Sequence, residues 1–261
     1  MRECLNGMRE IARQSGSGDT TKLLRIAGLL AVSALFSVAP LRVDRLFFVQ
    51  RMQPYVGDFC AALARMRKSY RLVRTEELDR VAGTVLHGGI VALAQPRLLP
   101  VLDPIRADEW ARTGRLLLLL DGVGNPHNLG AIARTAAFFG VSRIVLSDHP
   151  AQARPSDASY RVAEGGLEYV ELYRGIRFAP MLKRLRRSYR VVAAAAKNGQ
   201  SIASLGSSER PLALVLGNEE HGLLRATLDA CDDTVTIPGS GMVQSLNEAA
   251  TAAILLHAWA R

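Results

Sequence analysis

Cysteine is scarce and scattered in this chain. Cys4, Cys60 and Cys231 are its three cysteines, and no pair has metal-ligand spacing. An odd number argues against a disulfide framework, so a reduced compartment and no bound metal are expected. A membrane-spanning run is lacking too. Ile26–Leu41 is apolar, with Lys22 and Arg25 ahead of it, which has the outline of a signal-peptide core. The basic lead-in is long and contains acids, and the run falls short of the roughly 20 residues a span needs. Its small and branched residues read as a buried helix followed by a strand, and a cytoplasmic protein with no membrane partner is expected. There is no internal repeat and no disorder-prone bias. With 49% hydrophobic and 22% charged residues, the 261-residue chain has an ordinary globular composition. That length can bury a core as one large domain or two small ones.

Acidic residues are outnumbered, leaving a formal charge of +9. Such an excess suggests a polyanionic partner. It is lopsided: residues 1–115 hold 18 Lys and Arg against 11 Asp and Glu, whereas residues 116–261 hold 15 against 13. The front half therefore reads as the part that docks nucleic acid. Residues 1–20, with Ser15-Gly16-Ser17-Gly18, read as a flexible tail. Asp19 and Thr20 are suited to cap a helix over 21–38. A strand over 42–50, a helix over 57–69, a strand at 71–73, a turn of helix capped at Thr75 and a strand over 90–94 complete an α/β unit, 21–95. Residues 96–114, with Pro96, Pro100 and Pro104, read as a linker holding a short helix anchored by Trp110.

From 115 onward strands and helices alternate. Leu116–Leu120 and Leu212–Leu216 are continuous apolar runs, the pattern of strands buried on both faces. Strands at 143–147, 170–172, 191–195 and 234–237 alternate with helices at 129–139, 178–188, 223–230 and 247–260. The pattern predicts a parallel sheet covered by helices. Loops after such strands meet at one sheet edge, where ligands bind.

Three of those loops carry polar residues. Asp121-Gly122-Val123-Gly124-Asn125-Pro126-His127 imitates a dinucleotide fingerprint, but His127 stands where the third glycine belongs, which discounts a nicotinamide dehydrogenase. The segment still offers Asn128 as a helix cap, Gly130 for close backbone approach, and Arg134. Six residues at about 100° each put Arg134 opposite Asn128 on a regular helix. The two share a site only if Asn128 lies in the loop. The second loop is Gly217-Asn218-Glu219-Glu220-His221-Gly222, whose carboxylates can accept hydrogen bonds or anchor an Arg. In the third, Ile237-Pro238-Gly239-Ser240-Gly241-Met242-Val243-Gln244-Ser245-Leu246-Asn247 opens an Ala-rich helix, placing side chains and N–H groups to hold a ligand.

Taken in order, Asn128-x-Gly130-x-x-x-Arg134, Gly217-Asn218-Glu219-x-x-Gly222, and Ile237-Pro238 with Ser245-Leu246-Asn247 resemble the three signature motifs of the SpoU (TrmH) family of RNA ribose 2′-O-methyltransferases, within the SPOUT superfamily. The resemblance covers residues 115–261. His87-Gly88-Gly89-Ile90-Val91-Ala92 is similar to the same family's L30e-like substrate-binding domain. It implies a C-terminal parallel-sheet SPOUT domain with a deep trefoil knot, a small N-terminal L30e-like α/β domain, and a homodimer with the active site near its interface, for which the last helix with Trp259 is a plausible contact. It implies S-adenosylmethionine as cofactor, held around Gly217, Asn218, Ile237, Gly241 and Leu246. Catalysis on tRNA or rRNA is assigned to Arg134, with Asn128, Glu219, Ser245 and Asn247 orienting it and the ribose. Two positions depart from the family pattern: Gly239 where Met is usual, and Glu248 where small or β-branched residues are preferred. They leave a non-catalytic RNA-binding protein of the same fold as the alternative.

Overall fold

The computed structural model describes residues 22–206, 208–218 and 221–259. The expected tail, the caps Asp19 and Thr20, Cys4 and Glu219 lie outside the described residues. Two sheets form the protein. The first contains β1 (Leu24–Ala27), β2 (Val43–Phe48), β3 (Ser69–Leu72) and β4 (Ile90–Ala94) in the order β1-β4-β2-β3, with β4 antiparallel to both neighbours and β3 parallel to β2. Helices α1 (Leu29–Val38), α2 (Gly57–Arg65) and α3 (Thr75–Ala82) connect them.

The structure corrects the helix expected over 21–38. Leu24–Ala27 is a strand paired with β4, and the helix begins only at Leu29. Gly28, at φ 95°, makes the break, a backbone that glycine adopts at little cost. A short apolar run carries no periodicity to divide strand from helix. Thr75 is also not a cap: Arg74 holds that position and makes no side-chain capping bond.

Next come α4 (Pro104–Ala111), β5 (Leu117–Leu120), α5 (Pro126–Phe138), β6 (Arg143–Leu146), α6 (Asp157–Ala163), α7 (Gly166–Tyr169) and β7 (Glu171–Arg174). They are followed by α8 (Phe178–Leu185), β8 (Arg190–Ala194), β9 (Leu212–Leu216), α9 (Arg225–Leu228), β10 (Asp233–Val235) and α10 (Glu248–Trp259). The strands form one sheet, β10-β8-β9-β5-β6-β7, parallel at every pairing. Period-two alternation divides its leucines and valines. Leu118, Leu120, Ile144, Leu214 and Leu216 join a core with α5 and α10. Leu117, Leu119, Val145, Ala213 and Val215 join a second core with α4 and α8. Each such buried aliphatic side chain contributes about 1.5–3 kcal/mol. No helix among the described residues is long and apolar enough to cross a membrane.

The segment expected as a linker is packed. Leu102 and Trp110 are buried, and residues 100–102 bond to Arg174, covering the β7 edge. Trp110 is the anchor expected of it: it tilts against Tyr173 at 5.1 Å, and the Arg143 guanidinium lies 4.4 Å from its ring centroid.

A polar clamp joins the two sheets' layers. Arg42 donates from Nη1 to both carboxylate oxygens of Glu168 at 2.8 Å and from Nη2 to Tyr160 Oη at 3.2 Å. Burial, with Glu168 beside it, pushes the Tyr160 phenol above its usual pKa. Arg97 donates to the carbonyls of Leu167 and Val170. Gly165 lets the layers touch, because a Cβ there would sit 2.8 Å from Ala34 Cβ. Removing one partner of a buried pair strands the other's charge. Arg42→Ala is therefore expected to lower unfolding free energy by about 3–5 kcal/mol, read from urea denaturation; a loss below about 1 kcal/mol, typical of surface pairs, would refute the clamp.

Candidate active site

Because β5, β9 and β10 run parallel, the loops after them emerge at one sheet edge. After β5, Asp121 is buried; its N–H donates to Leu216 O at 2.8 Å and its carboxylate accepts from Thr227 Oγ1 at 2.7 Å. Gly122 then turns at φ 79°. Asn125, not Asn128, caps α5, accepting from His127 N at 2.9 Å, with Pro126 in the first turn. That corrects the cap assignment. The signal is present in Asn125-Pro126, since Pro favours the first helical position behind a capping residue.

Asn128 thus lies inside the helix, buried, and its Nδ2 donates to Glu248 Oε2 at 2.7 Å. The condition for sharing a site with Arg134 within one chain is not met. Arg134 faces elsewhere, with a side chain 56% exposed and its Nη2 3.0 Å from Glu164 Oε2. Gly130 does permit close approach, to α6: a Cβ there would collide with the Ser159 carbonyl and sit 3.0 Å from Val162 Cβ.

The second loop is folded on itself. Asn218 N donates to Gly222 O at 3.2 Å and Gly222 N to Asn218 O at 2.9 Å. The Asn218 side chain ties this loop to the first, Nδ2 donating to Gly122 O at 2.9 Å and Oδ1 accepting from His221 N at 3.1 Å. Gly217 is enclosed: a Cβ would lie 2.7 Å from Leu223 Cγ and 2.9 Å from Gly222 C. After α9, burial and the neighbouring Asp232 push the Cys231 thiol up to about 12. Cys231 is therefore a thiol at neutral pH, not a nucleophile.

The third loop is open. Gly241 has φ 84°, a Cβ at Gly239 would meet nothing within 4 Å, and Met242 and Val243 are exposed. Asn247 ends it as a helix cap, accepting from Ala250 N at 2.8 Å.

The second and third loops, with residues 194–197 from the end of β8, line a cleft of about 1100 Å³, a size suited to a nucleoside-sized ligand. Gly217, Asn218, Ile237, Gly241, Ser245 and Leu246 line it, together with Glu248. So every residue expected to bind the cofactor meets at one place, with Ser245. Asn128 touches the wall through Glu248, and Asn247 anchors the helix behind it. Neither the Asn128–Glu248 bond nor the Asn218–Gly122 bond follows from the motifs alone. A second cleft, about 1290 Å³, lies in the first unit between Val49–Arg51, Leu72–Glu77, Arg80 and His87. His87 Nε2 bonds Asp79 Oδ1 at 2.7 Å, while its Nδ1 accepts from Gly89 N at 2.9 Å, which is a structural use of both nitrogens.

A parallel α/β sheet with a nucleoside-sized cleft at its carboxyl edge defines a ligand-binding α/β protein, joined here to a small second unit. Comparison with known proteins narrows the class. The profile of the SpoU rRNA Methylase family matches residues 115–257, and that of RNA 2′-O ribose methyltransferase substrate binding matches residues 25–99. The chain belongs to the SpoU family. It is 33% identical to an uncharacterized tRNA/rRNA methyltransferase, YfiF, of Escherichia coli O157:H7, over 97% of this chain and 71% of that one. It is 32% identical to the 23S rRNA (guanosine-2′-O-)-methyltransferase RlmB of Pasteurella multocida, over 88% of this chain and 95% of that one. The AdoMet-bound rRNA methyltransferase from Sinorhizobium meliloti superposes with a TM-score of 0.75 at 22% identity, covering 91% and 87% of the two chains, a likeness of fold.

The two glycines of the cleft differ in what surrounds them. Gly217→Ala overpacks an enclosed position and is expected to cost about 1–3 kcal/mol, whereas Gly239→Ala, in open space, should leave thermal unfolding unchanged. Equal effects from both would contradict the enclosed second loop.

Proposed function

We propose that this protein is an S-adenosylmethionine-dependent RNA methyltransferase that modifies a ribose 2′-hydroxyl of tRNA or rRNA. The observation that carries this is the meeting of Gly217, Asn218, Ile237, Gly241, Ser245 and Leu246 around one cleft in a chain of the SpoU family. The residues fit the cofactor: Gly217, Ile237, Gly239 and Gly241 bring backbone to the cleft wall, and the open third loop offers backbone donors and acceptors. Gly217, Asn218, Ile237, Gly241 and Leu246 hold it in this reading. When bound, it supplies a methyl group on a cationic sulfur.

The ribose hydroxyl is a poor nucleophile until its proton is drawn away, so alignment and a proton acceptor dominate the barrier. Ser245 lies on the cleft wall, where it orients the ribose, with Asn128, Glu219 and Asn247 supporting it. A guanidinium is a planar fork of donors with no acceptor, so Arg134 serves by positioning phosphate and hydroxyl. Its place on the far side of α5 from Asn128 supports a homodimer, in which Arg134 acts near the subunit interface. We also assign 21–95 as an L30e-like RNA-binding domain, 96–114 as the connection and 115–261 as the methyltransferase domain. The knot assigned to the C-terminus has α10 leaving edge strand β10 to pack against α5 and β9. The basic front unit, with Arg51, Arg74 and Arg80 on its cleft, contacts RNA phosphates and shape. A cytoplasmic location follows from an RNA substrate.

Arg134→Ala is expected to abolish methyl transfer to RNA while leaving S-adenosylmethionine affinity within about twofold, measured by radiolabel incorporation and calorimetry. Wild-type turnover in that variant would sink the role given to Arg134.

A further inference from the structure

Glu248 is one of the two irregular residues of the third motif, and it stands on the wall of the cleft. It is 7% exposed, and Asn128 Nδ2 donates to its Oε2 at 2.7 Å. That bond fixes the carboxylate in position as an acceptor. It opens α10, where the helix N-terminus favours negative charge. Two other ionisable side chains on the wall, Lys197 and His221, are exposed, so water and salt screen them. Glu248 is a buried carboxylate on this wall among the described residues. A charge held away from water acts on a ligand charge far more strongly than one at the surface.

We propose that Glu248 makes the cleft select for positive charge, so that S-adenosylmethionine binds more tightly than S-adenosylhomocysteine. This rests on the reading of the cleft as the cofactor site. In the transfer, the ribose oxygen forms a bond to the methyl carbon and the carbon–sulfur bond breaks. Its electron pair stays on sulfur, which becomes a neutral thioether, and the hydroxyl proton passes to solvent. The attraction to Glu248 is therefore present before transfer and lost after it. Glu248 favours loading of the donor and release of the product. It is a specificity residue, held in place by Asn128.

Calorimetry on the 261-residue chain tests this. Wild type should bind S-adenosylmethionine about tenfold more tightly than S-adenosylhomocysteine, a difference of about 1.4 kcal/mol. Glu248→Gln keeps an acceptor for Asn128 and nearly the same volume. In it the Kd for S-adenosylmethionine should rise about tenfold, while that for S-adenosylhomocysteine stays within about twofold. Glu248→Asp, which retains the charge, should keep most of the preference. Parallel weakening of both ligands by Glu248→Gln would reduce Glu248 to a packing role and overturn the proposal. So would equal binding of the two ligands by wild type, a measurement that needs no variant. Failure of wild type to bind either ligand would instead remove the cofactor reading beneath it.

Discussion

Burial of β5 on both faces is the constraint on which the rest depends. Leu117, Leu118, Leu119 and Leu120 are each at most 1% exposed. A strand with two apolar faces needs cover on both, which here comes from α5 and α10 on one side and α4 and α8 on the other. Helical crossovers of that kind return the chain to start each strand at the same end, so the strands run parallel. Parallel strands leave the loops after β5, β9 and β10 at one edge. The cleft is a consequence of that geometry, and side-chain bonds then tighten it: Asn218 to Gly122 O, Thr227 to Asp121, and Asn128 to Glu248.

The same economy joins the two units. Arg42, Glu168 and Tyr160 form a buried cluster of charge and hydrogen bonds, and Gly165 removes the side chain that would hold the layers apart. The basic unit is thereby tied to the sheet's helical layer, with Arg97 adding bonds to the carbonyls of Leu167 and Val170.

Much of this is legible in the sequence, for identifiable reasons. Leu116–Leu120 and Leu212–Leu216 announce doubly buried strands because no polar residue interrupts them. The three loops are legible as a set through their spacing and order. Leu24–Ala27 is not, since an apolar run broken only by Gly28 reads as strand or helix equally well. The position of Asn128 is obscured because Asn125-Pro126 sits within a glycine-rich loop, which hides its fit to a cap and first turn. The opposition of Arg134 to Asn128 follows from helix geometry alone, and it survives in the structure. The Asn128–Glu248 bond joins residues 120 positions apart, and only tertiary packing brings them together. It turns Glu248 from an anomaly of the motif into part of the cleft.

Methylation of RNA ribose at this cleft has a readout in the cell. Its most direct test is a transcriptome-wide map of 2′-O-methyl sites in cells lacking the gene, compared with cells in which it is restored. At least one tRNA or rRNA ribose should lose its methyl group on deletion and regain it with the wild-type gene. A map identical in both cell lines across growth conditions would contradict it and favour a non-catalytic RNA-binding protein of the same fold.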